Sequence, residues 1–237
     1  MRLSTITGSE DYFEHGYMIF PQLLDASELE CLRNVCDALL REPPDDDNGG
    51  KSHDIGRGHD RRFLRHRHAD FDDLSAFVLG AEMKTFLRPF IGGSPFLFNE
   101  QFVVKAAHTG TSFGWHQDGG YIPFAHRPYV TIWIALDDTS VDNGAVFLLP
   151  RDREAGDVPV KHWWNDQEKE YVGYDGSDPG KPAEVPAGSV VAFSSLTLHR
   201  SSPNVTDRPR RGYVVQYSGE PIIDPETGEN RVFATAL

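Results

Sequence analysis

Cysteine is scarce in this sequence, and long apolar runs are missing from it. Only Cys31 and Cys36 occur, five positions apart in a stretch with helical periodicity, so they form neither a disulfide framework nor a Cys-x-x-Cys pair. No run of about 18 apolar residues is present, and residues 1–11 lack the apolar core of a signal peptide. We therefore predict a cytoplasmic protein in a reducing compartment, with no membrane partner.

Positive charge is also in short supply. The chain has 23 Lys and Arg residues against 36 Asp and Glu residues, which gives a formal net charge of −13. A surface for nucleic acid needs clustered Lys and Arg to neutralise phosphates, so the sequence predicts no nucleic-acid partner. The Gly-x-Ser-x-Gly and Walker A motifs are absent as well, which excludes two common classes of enzyme.

Amphipathic periodicity is concentrated in the first part of the chain. Apolar residues recur at three- and four-residue steps over Ala26–Arg41, with Asp25 and Ser27 as possible N-caps, and again over Asp72–Ile91, which predicts two helices. Between them, Glu42–Asp70 is rich in Pro, Asp, Gly, Arg and His and is predicted to be an irregular loop. We expect this N-terminal helical layer to occupy about residues 1–92.

Short β-branched and aromatic runs dominate after residue 92. The candidate strands are Phe96–Ala107, Ser112–His116, Tyr129–Asp137, Ala145–Leu149, Ser189–Phe193, Thr197–Arg200 and Arg211–Ser218. This order predicts a mainly β fold with flanking helices and an antiparallel double-sheet jelly-roll core over about residues 93–220. A tail follows at 221–237, and the length fits a single domain over 1–237, as a monomer or homodimer.

The run Trp115-His116-Gln117-Asp118 carries the first indication of chemistry. Side chains two apart on a strand point to the same side, so His116 and Asp118 could reach one metal ion while Gln117 points away. With His199 downstream, they supply the two imidazoles and one carboxylate that a non-haem Fe(II) site uses. The alternative for the pair alone is a surface strand with two solvated polar groups. Arg210, eleven residues after His199, could clamp a carboxylate bidentately, and its neighbour Arg211 is the competing candidate.

Several ordered motifs together resemble one known family. They are Trp115-His116-Gln117-Asp118, Thr131-Ile132-Trp133-Ile134-Ala135-Leu136-Asp137, Asn143-Gly144, Leu148-Leu149-Pro150, His199-Arg200-Ser201-Ser202-Pro203-Asn204 and Arg208-Pro209-Arg210-Arg211. The chain resembles the phytanoyl-CoA dioxygenase family over about residues 98–218, and more loosely at the opening residues 12–17. That resemblance implies an Fe(II)/2-oxoglutarate oxygenase with a double-stranded β-helix, a cupin-like jelly roll.

The resemblance also implies roles for individual residues. His116, Asp118 and His199 would bind iron, and Arg210 would pair with the distal carboxylate of the co-substrate 2-oxoglutarate. Ser201 matches a position that assists at that carboxylate, and the co-substrate pocket would be lined by Gln101, Lys105 and Trp133. Asp118 separates the chain from halogenases of related fold, which carry a small residue there. One departure is Pro150-Arg151-Asp152-Arg153, where many relatives read Pro-Gly-Ser-His.

Substrate contacts are assigned from aromatic and basic clusters. The long polar stretch Arg151–Pro186 is predicted to cover the active site. A hydrophobic substrate pocket is predicted from Tyr121, Phe124 and Trp163. His59, His66 and His68 lie among Arg57, Arg61, Arg62, Arg65 and Arg67. A second metal site is one interpretation of that basic cluster, and we favour a solvated or substrate-facing loop because neighbouring cations repel a metal.

These expectations converge on an Fe(II)/2-oxoglutarate-dependent dioxygenase. We predict that it oxidises, by hydroxylation, a small organic molecule of secondary metabolism with O2 and releases succinate and CO2. The alternative is a catalytically silent jelly-roll binding protein. An intact Arg210 favours the enzyme, because a binding protein has no need of a co-substrate clamp.

Overall fold

The computed structural model describes residues 1, 9–44, 51–55, 61–151 and 156–237. Its α-helices are α1 (Glu10–His15), α2 (Ala26–Leu40), α3 (Asp72–Leu79) and α4 (Ala81–Leu87). The helix predicted over 26–41 is confirmed. Asp25 caps it, because its Oδ1 accepts a hydrogen bond from the Glu28 amide at 2.9 Å while the Glu28 carboxylate accepts one from the Asp25 amide.

The single helix predicted over 72–91 is wrong, because the chain breaks into α3 and α4 at Gly80. Gly80 is extended, with φ −72° and ψ 162°, and a Cβ there would lie 2.2 Å from the Ala76 carbonyl oxygen. A glycine permits this close approach of the backbone to itself. The hydrophobic period continues across the break, so periodicity alone could not locate it.

Strands make up most of the remaining structure. They are β1 (Tyr17–Phe20), β2 (Ser52–Ile55), β3 (Arg61–Arg65), β4 (Phe96–Lys105), β5 (Phe113–His116), β6 (Val130–Ala135), β7 (Val146–Leu148), β8 (Trp163–Asn165), β9 (Glu170–Val172), β10 (Lys181–Pro182), β11 (Val190–Ser194), β12 (His199–Ser201), β13 (Arg210–Ser218) and β14 (Thr235–Ala236). Each of the seven predicted strands overlaps one of these, so those predictions are confirmed.

Two antiparallel sheets form the jelly-roll core. The larger has the order β1-β11-β6-β13-β4-β3-β2, with β14 also paired to β4, and the smaller has the order β10-β7-β12-β5. Successive side chains of β6 point to opposite faces of the large sheet. Ile132 and Ile134 pack in the core cluster with the helices, whereas Trp133 and Ala135 pack with Leu148 of the smaller sheet. The predicted mainly β, jelly-roll fold is confirmed.

The irregular loop predicted over 42–70 is corrected by the structure. β2 and β3 lie in it and extend the large sheet, with Arg65 opposite Gln101 on β4. Charged residues dominate β3, but Arg61 is fully buried and Phe63 and Leu64 are buried too. A strand whose arginines turn inward shows no simple alternation of apolar and polar residues, which is why the pattern was missed.

The large sheet takes strands from both ends of the chain. β1 pairs with β11, and β14 pairs with β4, so residues before 92 and after 220 contribute to the same sheet as the middle. The stretch predicted as a cover contains the hairpin β8–β9 and the short strand β10 within its described part. Of the helices in the described residues, none is long and apolar enough to cross a membrane.

Candidate active site

The two histidines of the predicted metal site lie side by side in the smaller sheet. His116 ends β5, His199 begins β12, and the two are direct register partners with ring centroids 4.2 Å apart. Asp118 lies just beyond the strand, at the start of a 3-10 turn over Asp118–Tyr121. Its Oδ1 is 4.0 Å from His116 Nε2 and 3.6 Å from His199 Nε2.

Hydrogen bonds prepare both imidazoles to act as ligands. His116 Nδ1 donates to the Gly114 carbonyl at 2.8 Å, and His199 Nδ1 donates to the Thr197 carbonyl at 3.0 Å. These bonds place the proton on Nδ1 and leave each Nε2 lone pair directed at Asp118. Burial, together with the neighbouring His199, lowers the pKa of His116 to about 4, so its ring is neutral near pH 7.

The Asp118 carboxylate is oriented by two side chains of the large sheet. Its Oδ2 accepts hydrogen bonds from Thr131 Oγ1 at 2.5 Å and from Gln216 Nε2 at 3.0 Å. Gln216 Nε2 also contacts Thr131 Oγ1 at 3.2 Å, which fixes both donors. Oδ1 therefore faces the two Nε2 atoms. Two imidazole nitrogens and one carboxylate oxygen fit a divalent iron held on one face.

Gln117 points away from the metal ligands, as its intermediate position predicts. It is buried, its Nε2 donates to the Leu196 carbonyl at 2.5 Å, and its Oε1 accepts from the Val160 amide at 2.7 Å. Its own amide donates to His162 Nε2 at 2.9 Å. The segment before β8 is thereby tied directly to the residue between the proposed metal ligands His116 and Asp118. Sequence reasoning assigned no function to Gln117 or His162.

Arg210 and Arg211 face opposite sides of the large sheet. Arg210 is 2% exposed, lines the cavity between the sheets and donates from Nη2 to the Gly144 carbonyl at 2.7 Å. Burial lowers its pKa to about 10, and its Nε has no hydrogen-bond partner among the described residues. Arg211 instead binds Asp137 bidentately, at 2.7 and 3.0 Å. Of these two arginines, only Arg210 is therefore available to a ligand in the cavity.

Gly144 is required by the close packing beside Arg210. Its φ is +100°, and a Cβ there would lie 2.8 Å from Lys105 Cδ and 3.3 Å from Arg210 Nη2. Lys105, opposite Arg210 in the sheet, is fully buried and donates from Nζ to the Ser202 carbonyl. Burial, followed by the charge of Arg210, holds the pKa of Lys105 well below its usual value.

The metal ligands and Arg210 share one cavity of about 480 Å³ between the sheets. Of the other predicted co-substrate residues, Gln101, Trp133 and Ser201 line this cavity. Lys105 is fully buried and does not line it. The Trp133 ring lies 5.6 Å from the Arg210 guanidinium. The structure thus brings the predicted cofactor and metal residues to one place.

The three predicted substrate aromatics are dispersed. Tyr121 lines the cavity, and its ring meets that of His116 edge to face at 5.6 Å. Phe124 packs with Phe98, Tyr129 and Ile222 and lines a neighbouring cavity instead. Trp163, on β8, is 42% exposed. Only Tyr121 of these three lies in the wall of the cavity that holds the metal ligands.

The basic cluster contains an ion pair that sequence reasoning missed. Arg61 Nη1 binds Glu170 Oε2 of β9 at 3.0 Å, and both side chains are buried. Arg61 is therefore neither solvated nor facing substrate, and only Arg65 of the described arginines in the cluster lines the cavity. His66 bonds Asn99 at 2.9 Å and His68 lies 3.3 Å from Glu100. Arg57 and His59 lie outside the described residues.

The possible metal clusters in the described residues do not include His66 or His68. One is His116-Asp118-His199, and the other is the surface group Asp11-Glu14-His15 on α1. A second metal site in the basic cluster therefore finds no support in the described part of the chain. Thr131 and Gln216, which orient Asp118, were also not anticipated. For Gln216, the sequence did contain one indication: its even spacing from Arg210 places both side chains on the same strand face.

Comparison with known proteins decides the family. The family model "Phytanoyl-CoA dioxygenase (PhyH)" matches residues 12–212. The chain belongs to this family. Its recognition from the sequence motifs is confirmed, and the proposed metal ligands, Arg210 and most of the jelly-roll core lie within the matched residues.

Two curated relatives are enzymes that act on small molecules. The chain is 28% identical to a probable alpha-ketoglutarate-dependent hypophosphite dioxygenase of Stutzerimonas stutzeri, over 66% of this chain and 57% of that protein. It is 25% identical to an ectoine dioxygenase of Stutzerimonas stutzeri (strain A1501), over 88% of this chain and 75% of that protein. The chain therefore spans little more than half of the first relative and three quarters of the second.

A solved structure shows the same fold around the expected cofactors. The epimerase SnoN, in complex with Fe3+, alpha ketoglutarate and nogalamycin RO, superposes with a TM-score of 0.71 over 97% of this chain and 93% of that chain, at 20% identity. The family match and the metal-binding triad identify the chain as an Fe(II)/2-oxoglutarate-dependent dioxygenase, and the solved structure shows that the fold is shared. The predicted cofactors, Fe(II) and 2-oxoglutarate, are confirmed.

Proposed function

We propose that the protein hydroxylates a small organic molecule in the 480 Å³ cavity, with iron held by His116, Asp118 and His199. The observation that carries this assignment is the convergence of two Nε2 atoms on Asp118 Oδ1, with the opposite side facing the cavity. Bound Fe(II) and 2-oxoglutarate supply the chemistry, in which O2 is activated, the co-substrate becomes succinate and CO2, and the substrate is oxidised.

Arg210 is proposed to bind the distal carboxylate of 2-oxoglutarate. One of its nitrogens is fixed by the Gly144 carbonyl, which orients the planar guanidinium, while Nε keeps an unused donor among the described residues. The buried hydroxyl of Ser201, in the same cavity wall, is proposed to donate to that carboxylate as well. Gln101, Lys105 and Trp133 are proposed to complete the pocket by position and charge.

The hairpin β8–β9 is proposed to keep water away from the reacting atoms. Tyr121 stands between the hairpin and the metal ligands, with its ring edge to face against Tyr171 at 5.5 Å and against His116 at 5.6 Å. Glu170 joins the hairpin to β5, because its Oε1 accepts from the Gly114 amide at 2.7 Å. Phe124 and Trp163, which lie outside this cavity, are proposed to meet only a substrate that extends beyond it.

The proposed substrate is a small molecule of secondary metabolism. Support for its small size comes from the cavity volume and from the two relatives, which are named as a hypophosphite dioxygenase and an ectoine dioxygenase. A cytoplasmic location, a monomeric or homodimeric state and the absence of nucleic-acid and membrane partners remain predictions, and gel filtration with cell fractionation would test them.

Succinate release tests the proposal. Purified protein with Fe(II), 2-oxoglutarate and air is expected to form succinate slowly without substrate, and faster with a molecule that gains one oxygen atom in a metabolite screen. The variant His199→Ala should form none, whereas Asp166→Asn on the exposed turn after β8 should match the wild type. Binding of 2-oxoglutarate without succinate under any condition would instead favour the silent jelly-roll binding protein.

A further inference from the structure

The active-site cavity is basic although the protein is acidic. Its lining includes the cationic side chains Arg65, Lys169, Arg200, Arg210 and Arg231 but only the carboxylates Asp118 and Glu170. Asp118 belongs to the metal site, and Glu170 is already paired with the buried Arg61. In a chain with a formal net charge of −13, this excess of positive charge in one cavity calls for a ligand of opposite sign.

Three of these cationic side chains already have interaction partners or a proposed role. Lys169 Nζ lies 3.6 Å from an Asp166 carboxylate oxygen. The Arg200 guanidinium packs over the Phe147 ring at 3.8 Å and donates to the Pro179 carbonyl at 3.1 Å. The third, Arg210, is proposed above to bind 2-oxoglutarate. Arg65 and Arg231 remain.

Arg65 is placed in the cavity by the pairing of β3 with β4. It lies opposite Gln101 in the register, and its Nε donates to Gln101 Oε1 at 3.1 Å. Its guanidinium carbon also lies 5.5 Å from the centre of the Phe63 ring. Neither terminal nitrogen has a hydrogen-bond or ion-pair partner in the part of the chain that the structure describes. The side chain is thus held by one nitrogen and offers the other two.

Arg231 reaches the same cavity from the C-terminal segment. An isolated bridge between Ile223 and Asn230 folds this segment back, and the Arg231 amide donates to the Ile222 carbonyl at 2.8 Å. Its guanidinium, like that of Arg65, has no acidic partner among the described residues. Burial and the positive charge of Arg231 lower the pKa of Arg65, which shows that the two cations lie close enough to repel each other.

Arg65 is half-buried and Arg231 is exposed, and their two positive charges repel each other unless an anion lies between them. We propose that Arg65 and Arg231 form a subsite for an oxyanion group of the substrate, such as a carboxylate or a phosphonate. The guanidinium fork matches such oxygens geometrically, and Gln101 orients Arg65 for the contact. This inference deepens the proposed function, on which it rests, by naming the substrate as an anion.

The two arginines of the subsite are separate from Arg210, which is proposed to bind the distal carboxylate of 2-oxoglutarate, although Gln101 borders both pockets. Arg210 lies opposite Lys105 on β4 and Arg65 lies opposite Gln101, four residues along the same strand and on the same face. At about 3.3 Å per residue, the register positions of Lys105 and Gln101 are about 13 Å apart along β4. They also lie on opposite sides of β4, because β13 and β3 are its two neighbours. Two anions can therefore bind without sharing an arginine.

Binding of simple probes tests the subsite without knowledge of the natural substrate. Protein loaded with Zn(II) and 2-oxoglutarate, which cannot turn over, is titrated with phenylphosphonate, benzoate and the neutral benzamide. We expect the two anions to bind and benzamide to bind at least tenfold more weakly. Replacing Zn(II) by Mn(II) should broaden the phosphorus resonance of bound phenylphosphonate, because the probe then lies near a paramagnetic ion.

Charge-removing variants assign the binding to the two arginines. Arg65→Gln and Arg231→Gln should each weaken phenylphosphonate binding about tenfold to hundredfold, the range for a lost hydrogen bond to a charged group. Arg88→Gln is the matched control, because Arg88 is exposed at the end of α4 and outside the cavity. The 2-oxoglutarate affinity of Arg65→Gln and Arg231→Gln should stay within about twofold of the wild type.

Several results would overturn the subsite. If Arg88→Gln weakened phenylphosphonate binding equally, the effect would be one of long-range electrostatics alone. Unchanged binding in the double variant of Arg65 and Arg231 would show that neither arginine contacts the probe. Absence of Mn(II) broadening would place the probe elsewhere, and a parallel loss of 2-oxoglutarate affinity would assign Arg65 to the co-substrate. Failure of the proposed function looks different, because the wild type would then bind the anions yet release no succinate with Fe(II).

Discussion

Arg61 and Glu170 form a buried ion pair, with Nη1 and Oε2 3.0 Å apart, that joins the large sheet to the hairpin β8–β9. Arg61 also donates to the Ser112 carbonyl at 2.7 Å and packs over the Phe113 ring at 3.8 Å. Glu170 in turn holds the Gly114 amide in β5. One pair therefore connects β3, the hairpin and the strand that ends at His116.

Breaking this pair should destabilise the protein strongly. Glu170→Ala leaves the Arg61 charge buried and removes the acceptor for the Gly114 amide, so we expect the free energy of unfolding to fall by about 3–5 kcal/mol. Urea denaturation measures it. Asp166→Ala breaks the exposed pair with Lys169 in the same hairpin and should cost less than about 1 kcal/mol. Equal losses in the two variants would contradict a structural role for the buried pair.

Thr131 should control metal affinity although it would not touch the metal. Removing its hydroxyl in Thr131→Val deprives Asp118 Oδ2 of its 2.5 Å hydrogen bond, and loss of such a partner typically costs 10- to 100-fold in metal affinity. Competition with a chelator measures the Fe(II) affinity. Thr139→Val is the matched control, because the buried Thr139 hydroxyl bonds, among the described residues, the Ala183 and Val185 carbonyls and the Val185 amide, away from the proposed metal ligands. A loss in both variants would point to general destabilisation.

Asp118 itself should be indispensable for turnover. Asp118→Gly removes the only carboxylate among the proposed ligands, so we expect succinate release and hydroxylation to fall at least about 100-fold, with Fe(II) affinity falling in parallel. Addition of chloride should restore neither the hydroxylation rate nor succinate formation coupled to it. An undiminished rate would remove Asp118 from the ligand set, while the far-ultraviolet circular dichroism spectrum checks that the variant is folded.

The proposed iron ligands could be located from the sequence because two of them are encoded in one short motif. His116 and Asp118 lie two apart, and these residues with His199 and the other ordered motifs of residues 131–211 are sufficient to name the family. The local geometry of the pair differs from the single strand that its spacing predicts, because β5 ends at His116 and a 3-10 turn carries Asp118. The jelly roll could be predicted for the same reason as the strands: each strand is a short apolar run between turn residues.

The remaining features depend on contacts that no local pattern encodes. Arg61 and Glu170 are 109 residues apart, and β3 reads as a charged loop until the sheet buries its arginine. Thr131 and Gln216 meet Asp118 only because β6 and β13 are neighbours in the large sheet. Gly80 splits a helix whose apolar period continues unbroken. In each case tertiary packing decides what the residue does, and one sequence does not reveal the packing partner.

Arg210 and Arg211 should respond in opposite ways to the same substitution. Arg210→Gln removes the cation from the cavity and is expected to weaken 2-oxoglutarate binding about tenfold to hundredfold. Arg211→Gln removes ion pairs to Asp137 and Asp37, so we expect lower stability with unchanged 2-oxoglutarate affinity. Calorimetric titration and thermal unfolding of both variants separate the effects. A stronger loss of affinity in Arg211→Gln would reverse the assignment.

The two cysteines should react with thiol reagents at very different rates. Burial raises the pKa of the Cys36 thiol to about 12, so at pH 8 almost no thiolate forms, and the side chain is fully buried on the core-facing side of α2. Cys31 is partly exposed, and burial raises its pKa as well. We expect iodoacetamide to modify Cys31 slowly in the native protein and Cys36 only after unfolding. In Cys31→Ser, labelling should therefore follow global unfolding, whereas native-state labelling of that variant at a measurable rate would show that α2 separates locally from the sheet.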